Sequence, residues 1–126
     1  MNRVSMDRVI CCQIYRKMDW NALESLEDWT AALNASHEQP VVVFKHSTRC
    51  SISRMALQLT QQRWDLPENV QPFLLDLLNH RGVSNAIATD LKTEHQSPQL
   101  LLILEGKTVH HANHSNIDPV DLLPYL

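Results

Sequence analysis

Residues 41–55, Val-Val-Val-Phe-Lys-His-Ser-Thr-Arg-Cys-Ser-Ile-Ser-Arg-Met, constrain the fold more than any other stretch of the chain. A β-branched apolar run passes into polar residues and a lone cysteine follows. From Cys50 onward Ile52, Met55, Ala56 and Leu59 recur at helical spacing, an apolar stripe. The pattern predicts a strand buried on both faces of a sheet, a turn and a helix, with Cys50 at the joint. A thiol at that joint meets the first free N–H groups of the helix and the positive end of its dipole, with cationic Arg49 beside it, surroundings that favour a thiolate. The competing reading of a free cysteine is a small buried hydrophobe. The strand-to-helix position tips the balance towards a nucleophile.

The remaining elements arrange themselves around this one. Ser25 opens Ser-Leu-Glu-Asp, a cap followed by an acidic first turn, and Leu26, Trp29 and Leu33 share a face, so residues 25–36 read as a helix. Pro40 ends the loop before the strand. After Pro67, residues 73–78 form a second apolar run of strand length, and Ser84 caps a helix carrying Ala86, Ile87, Ala88 and Leu91. Residues 99–104 and 107–112 flank Glu105-Gly106 as a hairpin, and Asp118-Pro119 heads a last short helix. Two parallel strands joined by a crossover helix, then a helix, a hairpin and a closing helix predict an α/β, thioredoxin-like three-layer α/β/α fold with a central mixed sheet.

Residues 18–126 are long enough for one such domain. Residues 1–17 read as an N-terminal extension, either a short extra strand centred on residues 9–15 or an appendage, with the appendage favoured. The net charge of −3 and the lack of a basic cluster argue against nucleic acid, and no apolar run approaches a membrane span. Asp7 and Arg8 interrupt what would otherwise be a short secretory core. Cys11, Cys12 and Cys50 provide neither a disulfide framework nor paired zinc spacing, which fits a reducing, cytoplasmic location. Glycine is too scarce for a phosphate-cradling loop.

Other residues qualify as partners of the thiol. Ser53 lies one helical turn after Cys50, where a second cysteine would resolve a mixed disulfide; a hydroxyl can only donate or accept a hydrogen bond. It reads equally as a solvated first-turn serine. Pro98 follows a polar turn and precedes a strand; it is either a plain strand-start proline or, in a fold of this order, a cis proline facing Cys50. His110, His111 and His114 invite a metal reading, but adjacent strand residues point to opposite faces, so a polar hairpin edge is favoured and no metal site is expected.

The segments at residues 44–53, Asn85-Ala86-Ile87-Ala88, His95-Gln96-Ser97-Pro98-Gln99 and His114-Ser115 together closely resemble the YtxJ-type monothiol bacilliredoxin family, from about residue 18 to the end. The resemblance implies a bacterial cytoplasmic protein of bacillithiol-linked redox chemistry. It places the active cysteine at Cys50, its serine partner at Ser53 and the cis proline at Pro98, with Thr48, Arg49, Ser51 and Ser97 lining the substrate. No bound cofactor is implied; bacillithiol is the co-substrate. The implied partners are bacillithiolated client proteins, a low-molecular-weight thiol and a separate reductase. Ser51 stands where some relatives have proline.

Two other readings compete. One is a carrier or binding module like the monothiol glutaredoxins, holding a small thiol or an iron-sulfur cluster, although the Cys-Gly-Phe-Ser signature is absent. The other is a dithiol oxidoreductase that uses Cys11 or Cys12 as the resolving thiol, provided the extension brings sulfur within disulfide reach of Cys50.

Overall fold

The structure, a computed structural model, describes residues 18–126. Along the chain run β1 (Asn21–Ala22), α1 (Leu26–Ala35), β2 (Val41–His46), α2 (Ser51–Gln62), β3 (Gln71–Asp76), α3 (Arg81–Leu91), β4 (Gln99–Leu104) and β5 (Lys107–Asn113). Two 3-10 turns, His114–Asn116 and Pro119–Tyr125, follow.

The sheet has the order β1-β3-β2-β4-β5, so β2 is its central strand. β2 pairs parallel with β3, ending at His46 opposite Asp76, and antiparallel with β4, where Lys45 stands opposite Gln99. Helices cover both faces, which is why the β-branched run reads as continuously apolar rather than alternating. Val41 and Val43 pack with Trp29, Ile87 and Leu101 under α1 and α3. Val42 and Phe44 pack with Ala56, Leu102 and Leu122 under α2 and the C-terminal turn. The result is the expected three-layer α/β/α arrangement about a mixed sheet.

Local chemistry sets the ends of the elements. Ser25 Oγ accepts the Asp28 N–H at 3.0 Å while the Asp28 carboxylate accepts the Glu24 N–H at 3.0 Å, a reciprocal cap for α1. The β4–β5 turn carries Glu105 and Gly106 at φ 50° and 77°, the left-handed pair of a tight hairpin. Both turn N–H groups donate to Ser36 at 2.8 Å, Glu105 to its carbonyl and Gly106 to its hydroxyl, which fastens the hairpin to the end of α1.

Three expectations about where elements begin and end need correction. The second strand lies two residues earlier than the apolar run suggested, because Asp76 accepts the Leu78 N–H at 3.2 Å and the Asn79 side-chain amide at 2.7 Å, turning the chain before Leu77 and Leu78 can extend it. Ser84 does not cap α3, which starts at Arg81; Ser84 is buried within it. The closing helix is a 3-10 turn with Pro124 inside it, although Asp118 does cap it, accepting the Val120 N–H at 3.0 Å. The two-residue β1 had no signal in the sequence.

The largest correction concerns α2. Ile52, Met55 and Leu59 are 53%, 64% and 42% exposed, whereas Ser53, Ala56 and Thr60 face the sheet. The large side chains at that interface come from elsewhere: Phe44 lies beneath, and Trp20, Leu57 and Trp64 fill the flank. Small residues on the inner side let α2 sit close, and the Thr60 hydroxyl is satisfied by the Ala56 carbonyl at 2.7 Å.

Candidate active site

β2 delivers the chain to the site, and a short turn reverses it into α2. The Cys50 N–H donates to the Ser47 carbonyl at 3.2 Å, closing a four-residue turn with Thr48 and Arg49 exposed at its tip. Cys50 has extended backbone (φ −104°, ψ 123°) and is the N-cap residue of α2, its carbonyl accepting the Arg54 N–H at 3.0 Å. Its side chain makes no capping hydrogen bond, and the thiol is free and half-buried. Ser51 follows as the exposed first residue of the helix, and the Arg54 guanidinium folds back onto the Thr48 carbonyl at 3.1 Å. Thr48, Arg49, Cys50 and Ser51 thus form one contiguous accessible turn.

Ser53 is placed differently. It has no solvent exposure, so it is not the solvated serine that its position allowed. Its Oγ accepts the Ser47 N–H at 3.0 Å and lies 2.7 Å from His46 Nδ1. His46 is 7% exposed, and burial, opposed by Asp76 and reinforced by Arg54, lowers its pKa below the usual imidazole value. The neutral ring, and the absence of another acceptor for the hydroxyl among the described residues, assign the bond: Ser53 O–H donates to Nδ1, leaving the ring proton on Nε2. Ser53 therefore fastens the first turn of α2 to the end of β2.

Pro98 is buried, and the Ser97–Pro98 peptide is cis. The pairing of Lys45 with Gln99 brings Pro98 to the level of His46, at the end of β2 from which the Cys50 turn departs. Its carbonyl accepts the His114 N–H at 3.0 Å, and Ser97 is half-exposed beside it. His110 and His111 lie on the edge strand β5, with the His110 ring 5.4 Å from that of Tyr125. Cys11 and Cys12 lie outside the described residues.

Sequence reasoning missed the buried polar residues behind the turn. Lys45 and His46 end an apolar strand and, by alternation, face opposite sides of the sheet. Lys45 Nζ donates to the Ser84 carbonyl at 3.3 Å and lies 3.2 Å from His95 Nδ1, while the Ser84 hydroxyl is 3.1 Å from the same nitrogen. Burial lowers the pKa of Lys45 from 10.5 to about 8. His95 is also lowered, by burial first and then by the charges of Lys45 and Arg81. The available signal was two ionisable residues in succession at the end of a run buried on both faces.

The two imidazoles give a pH dependence of definite sign. In the unfolded chain both titrate near ~6.5 and in the folded protein lower, so on acidification the unfolded chain binds protons first. The stability associated with these groups is complete above ~6.5 and falls as the pH drops towards their folded values. The urea midpoint is expected to be lower at about pH 5 than at about pH 7.5. An unchanged midpoint would contradict this.

Solved structures agree on the architecture. A protein described as having a thioredoxin fold superposes with a TM-score of 0.72 at 24% identity, over 82% of this chain and 90% of that one. The thioredoxin of Malassezia sympodialis gives 0.66 at 13% identity, over 87% and 90%. Oxidised thioredoxin O2 of Arabidopsis thaliana gives 0.59 at 20% identity, over 84% and 90%. The chain has the thioredoxin fold, with Cys50 at the head of α2 and Ser53 one helical turn further on. Residues 21–122 match the family of the monothiol bacilliredoxin BrxC, and the chain belongs to that family. Family and fold together make it a thiol redox protein. Among the described residues no helix is long and apolar enough to cross a membrane.

Proposed function

We propose that the protein is a monothiol exchange enzyme that removes bacillithiol from protein mixed disulfides in the bacterial cytoplasm. The observation that carries this reading is the placement of one free, accessible thiol on the Ser47–Cys50 turn while the hydroxyl of Ser53 is engaged with Ser47 and His46. Cys50 thiolate attacks the bacillithiol sulfur of the mixed disulfide. A bond forms between Cys50 Sγ and that sulfur, the original disulfide breaks, and the client leaves as a thiolate that takes a proton from solvent. Ser53 cannot attack the new disulfide. A second thiol, from a small molecule or a separate reductase, therefore attacks it and returns Cys50 to the thiolate.

In this reading Cys50 is the nucleophile and Ser53 holds its turn. Pro98 and Ser97 on one side, with Thr48, Arg49 and Ser51 on the other, receive the substrate. Bacillithiol is substrate, and no resident cofactor takes part. Intact-mass measurement after mixing the reduced protein with a bacillithiolated client tests the reading. The expected result is a freed client and one bacillithiol on the protein; an unmodified protein beside a still-modified client would overturn it.

A further inference from the structure

Lys45 is out of place in the middle of a sheet. It has no solvent exposure, and among the described residues no carboxylate bonds it, the ion pair there being Arg63 with Asp118. Taking an ammonium out of water without a counter-charge is unfavourable, and an apolar side chain of similar length would fill the same space at lower cost. The charge is nevertheless met by two acceptors, the Ser84 carbonyl of α3 at 3.3 Å and His95 Nδ1 at 3.2 Å. An ammonium only donates, so Nδ1 must accept and the His95 ring proton must lie on Nε2.

These contacts join three parts of the molecule. Lys45 stands five residues before Cys50 on the strand that delivers the thiol, and His95 stands three residues before Pro98 on the opposing loop. Gln99, opposite Lys45 on β4, holds the same loop from its other end, its side-chain amide donating to the Glu94 carbonyl at 3.0 Å. The loop of residues 94–99 is thus anchored at His95 and at Gln99, and at His95 two groups meet Nδ1, the buried cation at 3.2 Å and the Ser84 hydroxyl, which can donate or accept, at 3.1 Å.

We propose that Lys45 is a positioning residue of the exchange site: through His95 it fixes the loop carrying Ser97 and Pro98 in the register that receives the disulfide substrate beside Cys50. The inference rests on the exchange reading above. It gives the buried ammonium a role in binding rather than in the chemistry of the thiol.

Lys45→Met removes the charge and keeps all but the last atom of the side chain's length. The expected result is a rise in KM for a bacillithiolated client of about tenfold, the scale of one lost charge-assisted contact, with kcat little changed. Nitrogen NMR of the His95 ring is expected to show the Nε2–H tautomer in the wild type and a mixture in Lys45→Met, a change that a generally loosened core would not produce. His95→Ala is expected to raise KM similarly, and the double variant to be no worse than either single one. An unchanged KM in Lys45→Met, or additive effects in the double variant, would overturn the proposal. If Lys45→Met does not fold, His95→Ala alone decides, since an unchanged KM there removes the link. Were the wild type to take no bacillithiol from any client, the exchange reading would fall instead, and an unaltered His95 tautomer in Lys45→Met would still overturn the Lys45–His95 link independently.

Discussion

Cys50→Ser is expected to yield a folded protein without measurable bacillithiol transfer, its exchange rate lower by on the order of 10⁶-fold, the scale seen when a covalent nucleophile is deleted. A serine hydroxyl is not ionised near neutral pH and does not attack a disulfide. The fold should not suffer, because the Cys50 side chain makes no capping hydrogen bond and serine is a preferred N-cap residue. The thermal midpoint is therefore expected to stay level or rise slightly while activity disappears. Comparing initial rates of client release with melting curves checks both halves. Residual turnover within tenfold of wild type would show that another thiol carries the reaction.

Phe44→Ala is expected to cause the largest loss of stability, about 3–5 kcal/mol. Phe44 has no solvent exposure and lies on the central strand, under α2. Its ring meets Trp20 at 6.2 Å and His46 at 6.2 Å. α2 turns small residues towards it, so no large neighbour on that helix can swing in to fill the cavity. Against a typical total of about 5–15 kcal/mol, such a loss brings the protein close to unfolding. Urea denaturation followed by tryptophan fluorescence measures it; a loss below about 1 kcal/mol would mean that the site collapses far better than this packing allows.

The parts of the molecule that could be read from sequence are those whose chemistry is local. The β-branched run of β2, the Ser25 cap, the glycine turn at Gly106 and the Asp118-Pro119 start each announce themselves within a few residues. Position 50 was legible because the change from strand to helical spacing occurs there. Periodicity shows that α2 has an apolar stripe but not that the stripe is outside, since that depends on Phe44, Trp20 and Trp64, which occupy the interior from distant parts of the chain. The β3 boundary depended on the Asp76 side chain competing for Leu78 and Asn79. Lys45 and His46 were hidden for a related reason: their roles are defined by Ser84, His95 and Ser53, brought together only by the sheet. Ser53 reads in the sequence as a hydroxyl one turn after Cys50, whereas its buried bonds to Ser47 and His46 required the fold.

Those bonds sharpen the central claim that Cys50 works without a resolving thiol. The most direct test is peptide mass mapping of the protein after a single turnover with a bacillithiolated client. Bacillithiol on the peptide containing Cys50, with no internal disulfide, is the expected result. A disulfide between Cys50 and Cys11 or Cys12, with bacillithiol already released, would contradict it.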